Sequence, residues 1–295
     1  MSLPQTEAQF EGAVPIDRLD GAAALTRMID AQIASLDSVR NALPQLEAGA
    51  DLIADTLRGN GRLIYVAAGS SGLMALADGA ELPGTFGIAQ DRIAIRMAGG
   101  VPTDAAMPGD TEDLTDTALT LAPGDLVIAL SASGNTPWAV AAAEQARAQG
   151  VAVIAIANNP DTPLLRAATI AVCLPTPPEA LAGSTRMGAG TAQKAALNMM
   201  STLAGVRLGH VHDGMMVNLR ADNAKLRARA RRIVAHVAGV SDAVAMQALN
   251  AATGNTKSAC LIAAGAGPAQ AATLLLHHHG HLRPALATLQ NQDAR

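Results

Sequence analysis

Residues 62–72 read RLIYVAAGSSG, and residues 125–137 read DLVIALSASGNTP. Each is a short, continuously apolar run that ends in small and hydroxyl-bearing residues and then opens into a helical pattern. A strand that is apolar on both faces belongs in a parallel sheet covered on both sides. Three more runs of this kind, RIAIRMA at 92–98, VAVIAIAN at 151–158 and TIAVCL at 169–174, alternate with helical stretches. The alternation predicts a doubly wound parallel-sheet α/β domain, in which ligands sit at the carboxyl ends of the strands. Both serine-rich loops fall at such ends.

The first loop supplies Gly69, Ser70 and Ser71; the second supplies Ser131, Ser133, Gly134, Asn135 and Thr136. Backbone N–H groups and hydroxyls at the positive end of a helix dipole stabilise an anion. Neither loop has the G-x-x-x-x-G-K-[ST] or G-x-G-x-x-G spacing of a nucleotide site. One such loop alone reads equally as an ordinary strand-to-helix turn. Two of one kind point to a cradle for a sugar phosphate.

Composition narrows the class. The chain has 295 residues, 49% hydrophobic and 16% charged, enough for one large or two modest domains with a real core. No apolar run reaches the roughly 18–20 residues of a transmembrane helix, and residues 1–12 are polar and acidic, unlike a signal peptide. The expectation is a soluble cytoplasmic protein that does not meet a membrane. Cys173 and Cys260 stand alone in apolar settings, as reduced buried thiols do. A net charge of −4 argues against nucleic acid as a partner. Phe10, Tyr65, Phe86 and Trp138 are the only aromatic residues, too few to grip a neutral sugar by stacking, so a carbohydrate here is held by charge and hydroxyls.

The same reading divides the chain into an N-terminal helical segment (1–58), the α/β domain (59–215) and a C-terminal helical domain (216–295). Residues 17–58 read as a helix with Leu25, Ile29, Ile33, Leu36, Val39 and Leu43 near one face and a kink at Pro44. A long Ala- and Met-rich helix is expected over 184–206 and another over 216–237, the latter with the basic run KLRARARR at 225–232, which reads as a solvated face. Three short helices follow, the first capped by Ser241 and stopped at Gly254. The HHHGH run at 277–281 has no acidic or Cys partner nearby, and adjacent helical positions point apart, so no metal is expected.

Two acids stand close to the loops in sequence: Glu81 in LADGAELPGTFG and Glu112 in GDTEDLTD. Two carboxylates around a sugar can divide acid and base roles when their environments separate their pKa values. On spacing alone they read first as surface acids or helix caps.

RLIYVAAGSSG, the D-x-x-E-x-P-x-T-F-G segment at 78–87, GDTED, SASGNTP and, most specifically, GSTRMGAGTAQKAALNMMSTL at 183–203 resemble the N-acetylmuramic acid 6-phosphate etherases. These are sugar isomerase (SIS) domain proteins related to the glucokinase regulatory protein. The resemblance runs from Thr6 and Glu7 through Ile16, Asp17 and Arg18 to GNTKSA at 254–259. It implies a cofactor-independent lyase, a homodimer, that removes D-lactate from C3 of the amino sugar by elimination and rehydration, leaving N-acetylglucosamine 6-phosphate. It further implies that Glu81 is the proton donor and Glu112 the second catalytic glutamate. Ser70, Ser71, Ser131, Ser133 and Thr136 then hold the phosphate, with Ser184 and Arg186 at the edge of the site. The chain departs from the pattern at Leu73, Asn135 and Gly188, where the family has cations, and at Asn218, where it has Asp. The same loops would also suit a sugar-phosphate sensor or a phosphosugar aldose–ketose isomerase.

Overall fold

The computed structural model describes residues 4–9, 14–107, 109–219, 221 and 223–293. Phe10 and parts of the polar N-terminal stretch lie outside the described residues. By internal contacts the chain forms two compact units: residues up to Ala80 with Asp91–Ser201, and Glu81–Gln90 with the residues from Thr202 onward.

In the first unit, Asp20 caps α1 (Gly21–Asp37) by accepting the Ala23 N–H at 2.8 Å. A 3-10 turn over Ser38–Ala42 then leads into α2 (Leu43–Arg58). The break therefore falls before Pro44, not at it. The Ser35 and Ser38 hydroxyls donate to the carbonyls of Ala31 and Ser35, competing with the helix ladder, while Pro44 sits in the first turn of α2, where a missing N–H is harmless.

All five expected strands form: β1 (Leu63–Ala67), β2 (Ile93–Met97), β3 (Leu126–Ser131), β4 (Ala152–Ala157) and β5 (Ile170–Cys173). They make one parallel sheet in the order β2-β1-β3-β4-β5. The order reverses between β1 and β3, whose registers place Ala67 beside Leu130. The two serine loops therefore leave neighbouring strands at nearly the same level, at the switch point of the sheet. At the opposite end, Asp125 accepts the Arg62 N–H (2.8 Å), the Arg62 guanidinium (2.6 Å) and the Ala122 N–H (2.8 Å), tying the starts of β1 and β3 together.

Helix α3 (Gly69–Gly79) follows β1; α4 (Leu82–Phe86) belongs to the second unit; α5 (Pro137–Ala148) follows β3; α6 (Pro163–Arg166) follows β4; and α7 (Gly188–Arg207) follows β5. The buried face of α5 is Ala139, Ala142, Ala143 and Ala146, an i, i+3, i+4, i+7 stripe packed in one core cluster with Val127 and Ala129 of β3. Small side chains there let the helix approach the strands closely.

The second unit also contains an antiparallel ribbon that the sequence reading lacked, β6 (Val211–His212) and β7 (Met215–Met216), joined by Asp213 and Gly214 at φ +46° and +72°. The helix expected over 216–237 consequently starts later, as α8 (Ala224–Ala238), capped by Asn223. Four helices follow rather than three: α9 (Asp242–Ala251), α10 (Thr256–Ala263), α11 (Pro268–His277) and α12 (Leu282–Asp293). Ser241 does cap α9. Val217, Ile233, Val234, Leu261, Leu274 and Leu289 are among their shared core. Buried Lys257 donates to the Gly280 carbonyl at 3.1 Å and the Gly209 carbonyl at 3.5 Å. In the HHHGH run, the His278 ring nitrogen lies 2.9 Å from the Thr288 hydroxyl and its ring meets His277 edge-on. Among the described residues no single helix is long and apolar enough to cross a membrane.

Candidate active site

β1 ends at Ala67, Ala68 is extended, and Gly69 turns the chain at φ +53°. With glycine at that left-handed position the chain enters α3 directly, so Ser70 and Ser71 stand in the first helical turn rather than in a separate loop. The first turn of a helix offers N–H groups without intrahelical acceptors, at the positive end of its dipole. Ser71 is buried, and the half-buried Ser70 hydroxyl lies 3.2 Å from the Thr185 hydroxyl.

Glu112 reaches this turn from a 3-10 turn over Asp110–Asp113. A Cβ on Gly69 would stand 2.5 Å from Glu112 Oε1, so the carboxylate occupies the space a side chain there would need. Burial, and then the neighbouring charge of Asp113, pushes the Glu112 carboxyl above its ordinary value. A carboxyl raised in this way beside the first turn of a helix has the character of a general acid or base.

The second loop is organised around Ser131, the last residue of β3. Its buried hydroxyl lies 2.8 Å from Thr136 Oγ1 and 3.3 Å from Ser133 Oγ, and it accepts the Gly134 N–H at 3.0 Å. Gly134 holds φ +70°, and a Cβ there would stand 2.4 Å from Thr162 Oγ1. Asn135 is exposed; its N–H donates to Ser133 Oγ and its side-chain amide to the Ser133 carbonyl, both at 3.1 Å. Three hydroxyls thus gather just ahead of the N-terminus of α5.

Ser184 and Arg186 lie in a turn, not in the helix expected from Ser184. Helix α7 begins at Gly188 because buried Glu179 accepts the N–H groups of Gly188 (2.8 Å) and Ala189 (2.9 Å), one with each carboxylate oxygen. Gly188 has no room for a longer side chain: a Cβ would stand 2.3 Å from Ser35 Oγ and 3.0 Å from Glu179 Oε2. Arg186 is exposed and Ser184 half-buried. Leu73 is exposed on α3.

Glu81 belongs to the second unit, at the N-cap position of α4, with an exposed side chain and a carbonyl that accepts the Thr85 N–H at 3.0 Å. Asn218 donates from its side-chain amide to the Phe86 carbonyl at 2.7 Å, where Gly87 at φ +66° ends α4. The structure therefore brings Gly69, Ser70, Glu112 and the 183–187 turn together, and gathers Ser131, Ser133, Gly134, Asn135 and Thr136 in one loop.

Two residues that sequence reasoning missed complete this picture, Thr185 and Glu179. Thr185 was adjacent to a residue already selected. Glu179 caps amides nine and ten positions away, beyond the reach of a local capping pattern. Among the described residues no group of three or more His, Cys, Asp or Glu side chains converges as a metal site would require.

A SIS domain family model matches residues 102–203. The N-acetylmuramic acid 6-phosphate etherase of Symbiobacterium thermophilum is 41% identical to the chain over 262 residues, covering 86% of each. The etherase of the same name from Yersinia pestis (strain Pestoides F) is 40% identical over 292 residues, covering 95% of this chain and 98% of that one. In structure the chain is similar to a Bacteroides fragilis protein involved in capsule formation, with a TM-score of 0.52 over 65% of this chain and 94% of that one. At 18% identity this likeness concerns the fold alone.

Proposed function

The chain belongs to the N-acetylmuramic acid 6-phosphate etherase family, carbon–oxygen lyases of an amino-sugar phosphate, and we propose that Glu112 acts as the base of its reaction. The observation that carries this role is the Glu112 carboxyl, raised by burial and set against Gly69 at the anion-binding start of α3. With the sugar ring open, Glu112 takes the proton from C2. The electron pair left behind forms the C2–C3 double bond as the C3–oxygen bond breaks. Glu81, the proton donor in this reading, protonates the departing lactate oxygen. Water then adds at C3 of the unsaturated aldehyde, C2 recovers a proton, and N-acetylglucosamine 6-phosphate and D-lactate result. The hydroxyls of Ser70, Ser71, Ser131, Ser133 and Thr136, with the turn amides, hold the phosphate, and Ser184 and Arg186 border the sugar.

A second copy of the chain is part of this proposal. The α1 face that carries Leu25 (67% exposed), Ile29, Ile33 (58%) and Leu36 is uncovered, and its Ile33 and Leu36, with Leu43 and Met199 of α7, line a groove of about 630 Å³. An apolar stripe of that length on one helix supports a homodimer built on the first unit.

The test is incubation with N-acetylmuramic acid 6-phosphate in deuterated water, reading lactate release and deuterium at C2 together. Glu112→Gln should lower turnover by about two orders of magnitude or more, the usual contribution of a general base, with little change in affinity. Wild-type protein that binds the sugar phosphate but neither releases lactate nor exchanges C2 would overturn the reading.

A further inference from the structure

The segment 4–9 contributes nothing to the sheet, yet Thr6 is only 1% exposed. Its burial is accounted for by two hydrogen bonds that run in different directions. The Thr6 hydroxyl accepts from Nδ2 of Asn159 at 3.1 Å, and the Thr6 carbonyl accepts the Gly183 N–H at 3.2 Å. Asn159, also buried, stands two residues beyond β4; its Nδ2 donates in addition to the Ala132 carbonyl at 3.1 Å, and its Oδ1 accepts the Gln5 N–H at 2.9 Å. On the other side, Gly183 turns at φ +75°, and a Cβ on it would stand 3.2 Å from Glu7 Oε2. The 3-10 turn Gln5–Glu7 is thus hydrogen-bonded at once to the second serine loop, through Asn159, and to the turn that carries Ser184, Thr185 and Arg186.

The sheet itself does not set the spacing of these two segments. The loop follows β3, the turn follows β5, and β4 stands between those strands. The β3–β4 ladder reaches Ser131, and the Ala132 carbonyl accepts the Asn158 N–H at 3.0 Å, but the β4–β5 ladder ends by Leu174, ten residues before the 184–186 turn. Where that turn stands relative to the loop therefore depends on contacts outside the sheet, and the described N-terminal turn makes one of them.

We propose that Thr6 is a positioning residue of the sugar-phosphate site, which with Asn159 sets the spacing between the 131–136 loop and the 184–186 turn. The proposal rests on the assignment of those two segments to substrate binding. Losing one neutral hydrogen bond of this kind opens a local equilibrium by roughly threefold to tenfold.

The experiment compares full-length Thr6→Val, Thr6→Ala and Thr6→Ser with wild type, by amide hydrogen exchange without ligand and by calorimetric binding of N-acetylglucosamine 6-phosphate. In Thr6→Val and Thr6→Ala, exchange should accelerate roughly threefold to tenfold in both 131–136 and 183–187, with a loss of affinity of similar size, while strands β1 and β3 keep their protection. Thr6→Ser, which retains the acceptor, should behave as wild type. Unchanged exchange in either segment overturns the clamp, whatever the affinity. Faster exchange in both segments with unchanged affinity overturns its role in the site. Wild-type protein that fails to bind the sugar phosphate counts against the functional assignment, and the exchange data still judge the clamp.

Discussion

The Glu112 carboxylate fills the space in front of Gly69: one of its oxygens stands 2.5 Å from where a Cβ on that glycine would be. Gly69 thereby meets two demands, a φ of +53° and an absent side chain. Gly69→Ala pays a left-handed cost of about 1–2 kcal/mol and pushes the carboxylate aside. Misplacing a catalytic group by about an ångström can cost roughly a hundredfold in rate. The expected result is turnover lowered by about that factor, with a melting temperature lowered by only a few degrees. Activity equal to wild type would show that Glu112 does not work from this position.

The raised Glu112 carboxyl has a signed consequence for stability. In the folded chain it holds its proton to higher pH than in the unfolded chain, so just above the ordinary carboxylate value the native state binds more protons. The stability it contributes is complete below the unfolded value and is lost as pH rises through the folded one. Glu112→Gln removes that loss. Urea titrations at several pH values should find the variant at least as stable as wild type at pH 7, with the difference vanishing in acid. In the proposed role the ionised form is the base, so the acid limb of kcat/KM should lie above the ordinary carboxylate range. A wild type that gains stability relative to the variant as pH rises would contradict the assignment.

The sheet was readable from sequence because its strands are buried on both faces, and a continuous apolar run such as DLVIAL admits few other structures. What escaped reading depends on partners distant in sequence or on small polar side chains. The break before Pro44 comes from the Ser35 and Ser38 hydroxyls turning back on the helix, and the late start of α7 from Glu179 reaching across to Gly188. The Asp213–Gly214 turn is a local hairpin signal, but strands of two residues leave no alternating pattern around it to mark them. The serine loops were legible as hydroxyl-rich turns at the carboxyl ends of β1 and β3, where the structure has them. Neither spacing nor periodicity marks Glu81 and Glu112, and only the resemblance singles them out.

Glu179 fixes where α7 begins, and so where the Ser184–Arg186 turn ends. Glu179→Ala would leave the buried amides of Gly188 and Ala189 without acceptors, a loss of about 2 kcal/mol or more. Glu179→Gln keeps one acceptor oxygen and should lose less. Chemical denaturation of both variants checks the order. If neither is destabilised, the cap has no energetic role.

The uncovered stripe on α1 makes a prediction about assembly. Ile29 and Ile33 lie one turn apart on that face, both more than half exposed. Ile29→Glu with Ile33→Glu places two like charges in the proposed interface, where burial of unpaired charge is strongly unfavourable. Light scattering should show the wild type at twice the chain mass and the double variant as a folded monomer. A monomeric wild type at micromolar concentration would remove this interface.

The serine hydroxyls of the second loop should separate binding from architecture. Ser131 is buried, and its oxygen meets Thr136, Ser133 and the Gly134 N–H, so Ser131→Ala should loosen the loop and lower both stability and affinity. Ser133 is half-buried; among the described residues its oxygen accepts the exposed Asn135 N–H and lies 3.3 Å from Ser131 Oγ, a long contact from which its hydroxyl proton can turn toward a ligand. A hydrogen bond to a phosphate oxygen contributes about 1.5–3 kcal/mol, and tenfold in affinity corresponds to about 1.4 kcal/mol. Ser133→Ala should therefore raise the Kd for a sugar 6-phosphate at least about tenfold with the melting temperature unchanged, and Ser71→Ala combined with it should raise it further. The unphosphorylated sugar provides the control, since its affinity should not respond to Ser133→Ala. Equal affinity of wild type and Ser133→Ala for the phosphorylated ligand, measured by calorimetry, would mean that the phosphate is held elsewhere.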